Sequence, residues 1–198
     1  MSAVLNCNIS FIGGGNMAQA LIGGLVARGL APNRITVSDP VEGVRELLAE
    51  KGVQVTTDNA AAILNADVVV LAVKPQVLAQ VLKPLHGLCA GKLIISIVAG
   101  AEVNTIARLL DTARVVRVMP NTPALVQTGA HGLFATEAVN QADRDLASQI
   151  LAATGLTIWV AAEAQIDAVT AVSGSGPAYF FYMMESMIRA GKNLGLDE

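Results

Sequence analysis

Three consecutive glycines, Gly13 to Gly15, separate an apolar run from an alanine-rich segment in the stretch SFIGGGNMAQAL. With Ala18 they fit the pattern G-x-G-x-x-A. In that pattern the first glycine permits a tight turn, the second lets a pyrophosphate approach the backbone, and the small third residue lets helix and strand pack closely. The start of the following helix would offer unpaired N–H groups to the phosphates. The stretch predicts a dinucleotide-binding turn, and the alternative is an ordinary glycine-rich turn of another α/β protein.

An acidic residue, Asp39, ends the next apolar run, ITVSD. A carboxylate at this place in a dinucleotide fold bonds the adenosine ribose hydroxyls of NAD and repels the extra phosphate of NADP. No arginine follows it directly, and Arg34 and Arg45 are the nearest. The alternative is that Asp39, which precedes Pro40, caps a helix that begins near residue 41. The sequence favours use of NADH without excluding NADPH.

Three further apolar runs end in unusual residues. LAVKPQ ends in Lys74-Pro75, SIVAGAE in Ala99-Gly100, and RVMPNTPALV holds Asn121-Thr122 between two prolines. Each alone is common in a solvated loop. Ligands of open α/β sheets bind beyond the carboxyl ends of the strands, so together these residues predict one cleft beside the glycine turn.

The elements that must position these residues alternate along the chain. Helical segments are predicted over 16–29, 41–51, 75–85 and 102–111. The strand runs are apolar almost throughout, which is typical of a parallel sheet covered on both faces; they are NISFI, ITVSD, VQVTT, DVVVLAV, KLIISIV and RVVRVM. GLFAT and LTIWV, on either side of the helical NQADRDLASQILAAT, add two strands at one edge. This pattern predicts an α/β fold with an open, doubly wound, Rossmann-type sheet.

The sequence changes character at Glu163, and no further strand pattern follows. The segment predicts a helix, a Gly/Ser break and a second helix, with Pro177 in the first turn of the second. That second helix is apolar around most of its circumference and must be buried on nearly every side. It therefore packs between subunits, or the sequence is shortened. We predict a dinucleotide-binding domain over 1–162 and the first part of an all-helical dimerisation domain over 163–198.

Charge and composition exclude several classes of partner. The net charge of −3, from 13 basic and 16 acidic residues, predicts no nucleic-acid or anionic-membrane partner. The longest apolar stretch is broken by Asn65 and Asp67, and the N-terminus shows no secretion signal. Cys7 and Cys89 have no metal or disulfide spacing and are predicted to be buried thiols. We expect a cytoplasmic protein whose partner is a small molecule or another chain.

Four motifs together resemble pyrroline-5-carboxylate reductase, from about residue 8 to the end: FIGGGNMAQALIGGL, LAVKPQ, VMPNTPALV and DAVTAVSGSGPAYFFYMMESM. The resemblance implies reduction of 1-pyrroline-5-carboxylate to L-proline by NADPH or NADH, the last step of proline synthesis. It also implies a Rossmann domain followed by a helical domain through which subunits pair. The assembly would be a homodimer or a higher homo-oligomer.

The resemblance also implies roles for individual residues. Asp39 would face the adenosine ribose, Asn59 would contact the cofactor, and Asn121 and Glu163 would lie at the substrate. For Glu163 the alternative is an exposed acid at a helix start. Pyrophosphate contacts are expected from Ile12, Gly13, Gly14, Gly15, Asn16 and Met17. The nicotinamide side is expected to be lined by Ala72, Val73, Lys74, Pro75, Val98, Ala99 and Gly100.

Hydride transfer to a cyclic imine requires orientation of the reactants more than covalent chemistry from the protein. The lack of a Ser/His/Asp or Cys/His constellation agrees with this, and no metal is expected. The catalytic group stays open, with Ser173, Ser175 and Lys74 as candidates, although helix capping is the simpler role for the serines. His86 and His131 are predicted to be structural or surface residues.

The sequence departs from the family at one point. The family continues into a Ser-Pro-Gly-Gly-Thr loop that cradles the substrate, and no such loop occurs before Glu198. We therefore expect a C-terminally shortened member. Two alternatives remain. One is a related β-hydroxyacid dehydrogenase or imine reductase, whose catalytic lysine is not found at suitable spacing after SGSGPAY. The other is a dinucleotide-binding, dimerising fragment without activity.

Overall fold

The structure, a computed structural model, describes residues 5–197. The outermost residues of the two predicted domains, 1–4 and 198, lie outside this range. Within it eight strands form one sheet. They are β1 (Ile9–Ile12), β2 (Ile35–Ser38), β3 (Gln54–Thr56), β4 (Val68–Leu71), β5 (Leu93–Ser96), β6 (Val115–Met119), β7 (Gly129–Ala135) and β8 (Gly155–Trp159).

The helices connect these strands and then continue alone after β8. They are α1 (Asn16–Ala27), α2 (Glu42–Ala49), α3 (Asn59–Ile63), α4 (Leu78–Leu82), α5 (Val103–Leu110), α6 (Gln141–Ala152), α7 (Gln165–Val169) and α8 (Gly176–Asn193). Short 3₁₀ turns lie at Pro32–Arg34, Pro75–Val77, Lys83–Leu85 and Thr122–Val126, and a π-helical turn at Thr170–Gly174 joins α7 to α8.

The strand order is β3-β2-β1-β4-β5-β6-β7-β8. Strands β1 to β6 pair in parallel, β7 runs antiparallel to β6, and β8 runs parallel to β7. The predicted doubly wound sheet is confirmed, with the two expected strands at one edge. Because the first six strands share a direction, their carboxyl ends meet at one edge of the sheet, where the candidate site residues follow them.

Two apolar clusters cover the two faces of the sheet. Alternate residues of each strand point to opposite faces: Val68 and Val70 join the cluster that includes α1 and α6, while Val69 and Leu71 join the cluster that includes α3, α4 and α5. Strands β1, β4 and β5 are buried along their whole length. This burial explains their continuous apolar sequence.

Two local features differ from the sequence prediction. No helix is predicted from the sequence at α3, yet the Asp58 carboxylate caps one by accepting the N–H groups of Ala60 at 2.8 Å and Ala61 at 3.2 Å. The helix predicted over 75–85 is instead a short α-helix between two 3₁₀ turns. A proline stands in each of those turns, and proline removes a backbone donor.

The Gly/Ser break expected near Ser173 is a π-helical turn, so the backbone stays helical from α7 into α8, and Pro177 lies in the first turn of α8. Helix α8 exposes large apolar side chains along its length, namely Tyr179, Phe180, Phe181, Tyr182, Met183, Met184, Met187 and Ile188. Among residues 5–197, no helix is both long and apolar enough to cross a membrane.

Candidate functional site

The first residue of the glycine turn between β1 and α1 has a backbone conformation that requires glycine. Gly13 has a φ of +99°, and a Cβ added there would lie 2.6 Å from the carbonyl oxygen of Ala72. The Gly13 N–H donates to the Ser38 carbonyl at 2.8 Å. The turn is therefore held against the carboxyl ends of both β2 and β4.

The start of α1 is open to solvent. Gly15 is its N-cap, and among the described residues nothing lies within 4 Å of a Cβ placed on Gly15. Asn16 is exposed and Met17 half-buried, so both lie in the open first turn of the helix. Backbone N–H groups at such a helix start attract an anion, and the space above Gly15 leaves room for a phosphate.

Asp39 is turned towards this loop. Its Oδ2 accepts the N–H of Gly14 at 2.7 Å, and its Oδ1 accepts the N–H of Val41 at 2.9 Å. The side chain is buried, with the residue only 9% exposed. Val41 is the N-cap residue of α2, so Asp39 bonds the residue before the helix and does not cap its first turn. The carboxylate braces the glycine turn against the end of β2.

A cavity of about 410 Å³ lies beside the glycine turn. At its edge the Ser38 hydroxyl donates to Oδ1 of Asn59 at 2.6 Å. This contact fixes the Asn59 amide and leaves its NH₂ group to donate elsewhere. The cavity is lined by Ile12, Gly13, Gly15, Ser38, Asp39, Pro40, Val41, Thr57, Asn59, Ala72, Val73, Lys74, Val77 and Val81.

A second cavity of about 410 Å³ lies between α4 and α5 and is lined in part by Pro75, Ala99 and Gly100. The residues expected in one cleft are thus separated: Lys74 lines the first cavity, Pro75, Ala99 and Gly100 line the second, and Asn121 and Thr122 line neither. Gly100 has a φ of +71°, which favours glycine. Val98 is buried in the core rather than lining a cavity. The open start of α1, the positive φ of Gly13 and the first cavity together fit the pyrophosphate and adenosine of a dinucleotide.

Asn121 links the end of β6 to the C-terminal segment. Its Oδ1 accepts the N–H of Ala130 at 2.9 Å, and its Nδ2 donates to the Ser173 hydroxyl oxygen at 3.1 Å. The Asn121 amide therefore has a protein partner for both its oxygen and its nitrogen. Because Ser173 accepts this bond, its own hydroxyl hydrogen is left available.

Neither candidate serine caps a helix, so the simpler role expected for them is wrong. Ser175 is the N-cap of α8 by position, but its side chain makes no capping bond within the described chain. Nearby, the Thr170 hydroxyl donates to the Ile166 carbonyl at 2.8 Å, as hydroxyls within helices often do. Ser173 instead accepts from Asn121. Lys74 is exposed and lines the first cavity.

Glu163 belongs to a charged cluster that the sequence analysis did not find. Its Oε1 accepts the N–H of Val103, at the start of α5, at 2.8 Å and also pairs with Arg117 at 3.0 Å. Arg117 is 4% exposed and holds Asp167 at 2.9 Å with its other nitrogen. Glu163 is therefore not a free acid at a helix start. A basic residue inside the apolar run RVVRVM is the signal that could have revealed the cluster.

The remaining titratable candidates are structural. His131 lies inside β7, where its Nε2 meets the Thr154 hydroxyl at 3.0 Å, and burial lowers its pKa to about 4. Burial also raises the pKa of both thiols, Cys7 and Cys89, and both are buried as predicted. Among residues 5–197, no group of three or more His, Cys, Asp or Glu side chains could hold a metal ion.

Two families match parts of the chain. Residues 8–100 match the family described as NADP oxidoreductase coenzyme F420-dependent, and residues 163–198 match pyrroline-5-carboxylate reductase dimerisation. The pyrroline-5-carboxylate reductase of Pseudomonas aeruginosa is 50% identical over 95% of this chain, which spans 70% of that relative.

Solved structures agree with the sequence matches. The pyrroline-5-carboxylate reductase of Coxiella burnetii is 46% identical with a TM-score of 0.90, over 98% of this chain and 73% of that one. A pyrroline carboxylate reductase of Plasmodium falciparum with NADP bound is 28% identical with a TM-score of 0.89, over 98% and 72% of the two chains. The chain belongs to the pyrroline-5-carboxylate reductase family.

Proposed function

We infer that this chain reduces 1-pyrroline-5-carboxylate to L-proline with NADPH or NADH, the last step of proline biosynthesis. The observation that carries this inference is 50% identity to a reductase of that name across 95% of the chain. That identity favours the reductase over the dehydrogenase and imine-reductase alternatives. The glycine turn and its cavity support a dinucleotide site of the kind that the reaction requires.

The protein's part in the reaction is to bind and orient the reactants. Bound NADPH or NADH supplies the hydride that reduces the C=N bond. The open start of α1 would hold the pyrophosphate, and the Asn59 amide, fixed by Ser38, would donate to the adenosine half. Residues 72–75 and 98–100 would border the nicotinamide. Orientation of this kind contributes a large share of the rate in reactions that need no covalent intermediate.

On the substrate side, Ser173, Asn121 and Glu163 are the proposed contacts. Asn121 holds the Ser173 hydroxyl oxygen, so the free hydrogen can be donated to an acceptor such as the substrate carboxylate or imine nitrogen. Glu163 uses Oε1 for Arg117 and Val103, which leaves Oε2 for a group such as a protonated ring nitrogen. Ser175 and Lys74 stay candidates without a comparable set of contacts.

The dimerisation family matched by residues 163–198 indicates a homo-oligomer. We propose a homodimer formed through α8, because the exposed aromatic and methionine side chains there make a contiguous apolar surface. Surfaces of this kind mark sites of protein association. The division into domains at residue 163 and a cytoplasmic location stay predictions from the sequence.

The reductase assignment is tested by intact mass and cofactor oxidation on one preparation. Racemic pyrroline-5-carboxylate is supplied with NADPH and then with NADH, and consumption of the reduced cofactor is followed by absorbance. Turnover that depends on substrate is the expected result, and turnover at the 20.4 kDa mass would show that the loop absent before Glu198 is not required. Cofactor binding without turnover would instead support the alternative of a dinucleotide-binding, dimerising fragment.

A further inference from the structure

A separate cavity lies at the amino ends of β1, β2 and β3, at the edge of the sheet opposite the dinucleotide cavity. This amino-end cavity has a volume of about 230 Å³. Liquid water takes about 30 Å³ per molecule, so the space suits a ligand of about six to eight non-hydrogen atoms. Helix α3 and the turn after it leave the space open because the residues they place along it are small, namely Ala61, Ala62 and Ala66.

The cation of the amino-end cavity is Arg34. Among the described residues that line the cavity it alone is charged, and it is half-buried. Its Nη1 lies 3.5 Å from Oδ1 of Asn8, which is a long contact, and no ion pair joins it to an acid within residues 5–197. The guanidinium therefore keeps donors in the planar arrangement that fits a carboxylate.

Two amides beside Arg34 present oxygens to the same space. Asn8 donates its Nδ2 to the Asn65 carbonyl at 3.2 Å, and Gln54 donates its Nε2 to the Asn33 carbonyl at 2.9 Å. Their NH₂ groups are thus bonded to the chain, whereas each amide oxygen makes only one long contact, of 3.5 Å, to a neighbouring side chain. An amide oxygen has two lone pairs, so both oxygens can accept an N–H or O–H of a ligand.

The charges at this edge of the sheet have opposite signs on the two sides of β1. Arg34 precedes β2 and Asp67 precedes β4, and these strands flank β1. Asn8 links the two sides, since its side chain contacts Arg34 and its backbone N–H donates to Oδ2 of Asp67 at 2.8 Å. A ligand that carries a negative and a positive group matches this arrangement better than a simple anion does.

The polar face continues into the sheet beside the cavity. Ser10 shares a face of β1 with Asn8 and stands in register with Thr36, which lines the cavity. Ser10 is 0% exposed, and its hydroxyl has no hydrogen-bond partner within the described chain. Buried hydroxyls normally have one. A polar surface of this kind under α3 is not explained by packing of the core.

We propose that the amino-end cavity binds a small α-amino acid. Its carboxylate is held by Arg34, and its ammonium group donates to the amide oxygens of Asn8 and Gln54. Hydrogen bonds of both groups are charge-assisted, which makes them about twice as strong as neutral ones. The site is distinct from the proposed reductase site, because dinucleotides bind beyond the carboxyl ends of the strands.

The experiment measures binding to the whole chain by calorimetry, so it does not depend on reductase activity. The probes are L-alanine, L-lactate, propionate and ethylamine, which separate the contributions of the carboxylate and of the amino group. L-alanine should bind with a dissociation constant of about 1 mM, L-lactate about threefold more weakly, and propionate and ethylamine at least about tenfold more weakly.

Four variants locate the binding, and thermal unfolding of each shows that it is folded. Arg34→Met should weaken L-alanine at least about tenfold, and Arg34→Lys should lose less because it keeps the charge. Ala61→Leu fills the cavity from an exposed position of α3 without removing a charge, and it should also lose about tenfold. The control is Arg45→Met, whose arginine lies at the other end of β2, where its Nη1 donates to the Asp39 carbonyl at 2.8 Å. It should match the parent.

Several results would overturn the proposal. Absence of L-alanine binding up to about 50 mM would remove the amino acid as the ligand. Equal affinities for L-alanine and propionate would reduce the cavity to an anion site without a role for the amides. Parent-like binding in folded Arg34→Met or Ala61→Leu would place L-alanine elsewhere on the chain. The same loss in Arg45→Met as in Arg34→Met would reduce the effect to overall charge.

Discussion

Apolar side chains are buried in the sheet but exposed on the C-terminal helix α8. Phe11 in β1 and Ile95 in β5 are fully buried, whereas Phe180 in α8 is 67% exposed and Met187 is 68% exposed. The sheet has helices on both faces and completes its own core. Helix α8 also carries many large apolar side chains, but it has no covering layer within the described chain. From this difference we propose that the sheet with its helices is stable by itself and that the C-terminal helices are stabilised by association.

The largest effect on the stability of the sheet and its helices is expected from Gly13→Ala. The new methyl group would meet the Ala72 carbonyl, and the φ of +99° is unfavourable for alanine, so we expect a loss of about 3–5 kcal/mol in the free energy of unfolding. Urea unfolding and NADPH fluorescence check this, and affinity for NADPH should fall more than about tenfold. The matched variant Gly15→Ala has open space and an ordinary φ, so it should fold like the parent and lose only nucleotide affinity. Equal stability of the two variants would contradict the tight packing at Gly13.

The same half should lose stability in mild acid through His131. Its pKa is about 4 in the folded chain and 6.5 as the ordinary value. Between pH 6.5 and about pH 4, His131 is protonated in the unfolded chain but not in the folded chain. The free energy of unfolding therefore falls as the pH falls through this window, by up to about 3 kcal/mol. The measurement is the free energy of unfolding against pH for the parent and His131→Gln, with His86→Asn as the control. A parent curve that parallels the His131→Gln curve would refute the prediction.

Arg117 joins the two halves, and its removal should separate them. Arg117→Met should cost about 2 kcal/mol in unfolding free energy, because the buried cation and its bonds to Glu163 and Asp167 are lost while both acids can regain water. Limited proteolysis near residues 161–165 should become faster than in the parent. The control Asp167→Asn alters the more exposed pair and should cost less than about 1 kcal/mol. Similar proteolysis of Arg117→Met and parent would show that the joint does not depend on this cluster.

The smallest effect on stability is expected where the helical half is uncovered. Phe180→Asp should change the unfolding free energy of the isolated chain by less than about 0.5 kcal/mol, since the side chain is exposed. Its effect should appear in the mass measured by sedimentation, which should shift from dimer to monomer. Leu64→Asp, at a 73% exposed position outside α8, is the matched control and should leave the mass unchanged. A dimer that survives Phe180→Asp would place the interface elsewhere.

The strands were predictable because burial on both faces requires continuous apolar runs. The glycine turn was predictable from its G-x-G-x-x-A spacing. The contacts of single side chains were not. Asp39 stands where a ribose-binding acid is expected, but its direction depends on how closely Gly14 and Val41 approach, and no local pattern encodes that distance. Helix α3 was missed because one capping aspartate, Asp58, is a weaker signal than the apolar run around it. The Arg117 cluster joins residues 46 and 50 positions apart. Only its unusual base in a buried strand could have been noticed.

The place of β1 in the strand order has a consequence for synthesis of the chain. One edge of β1 pairs with β2, and the other pairs with β4 at residues 68–71. During translation the first edge can close as soon as β2 leaves the ribosome, while the second waits for some thirty further residues. An open apolar edge is a template for pairing with other chains. The Ile9–Ile12 segment is therefore exposed to misassembly in nascent chains that pause before Val68.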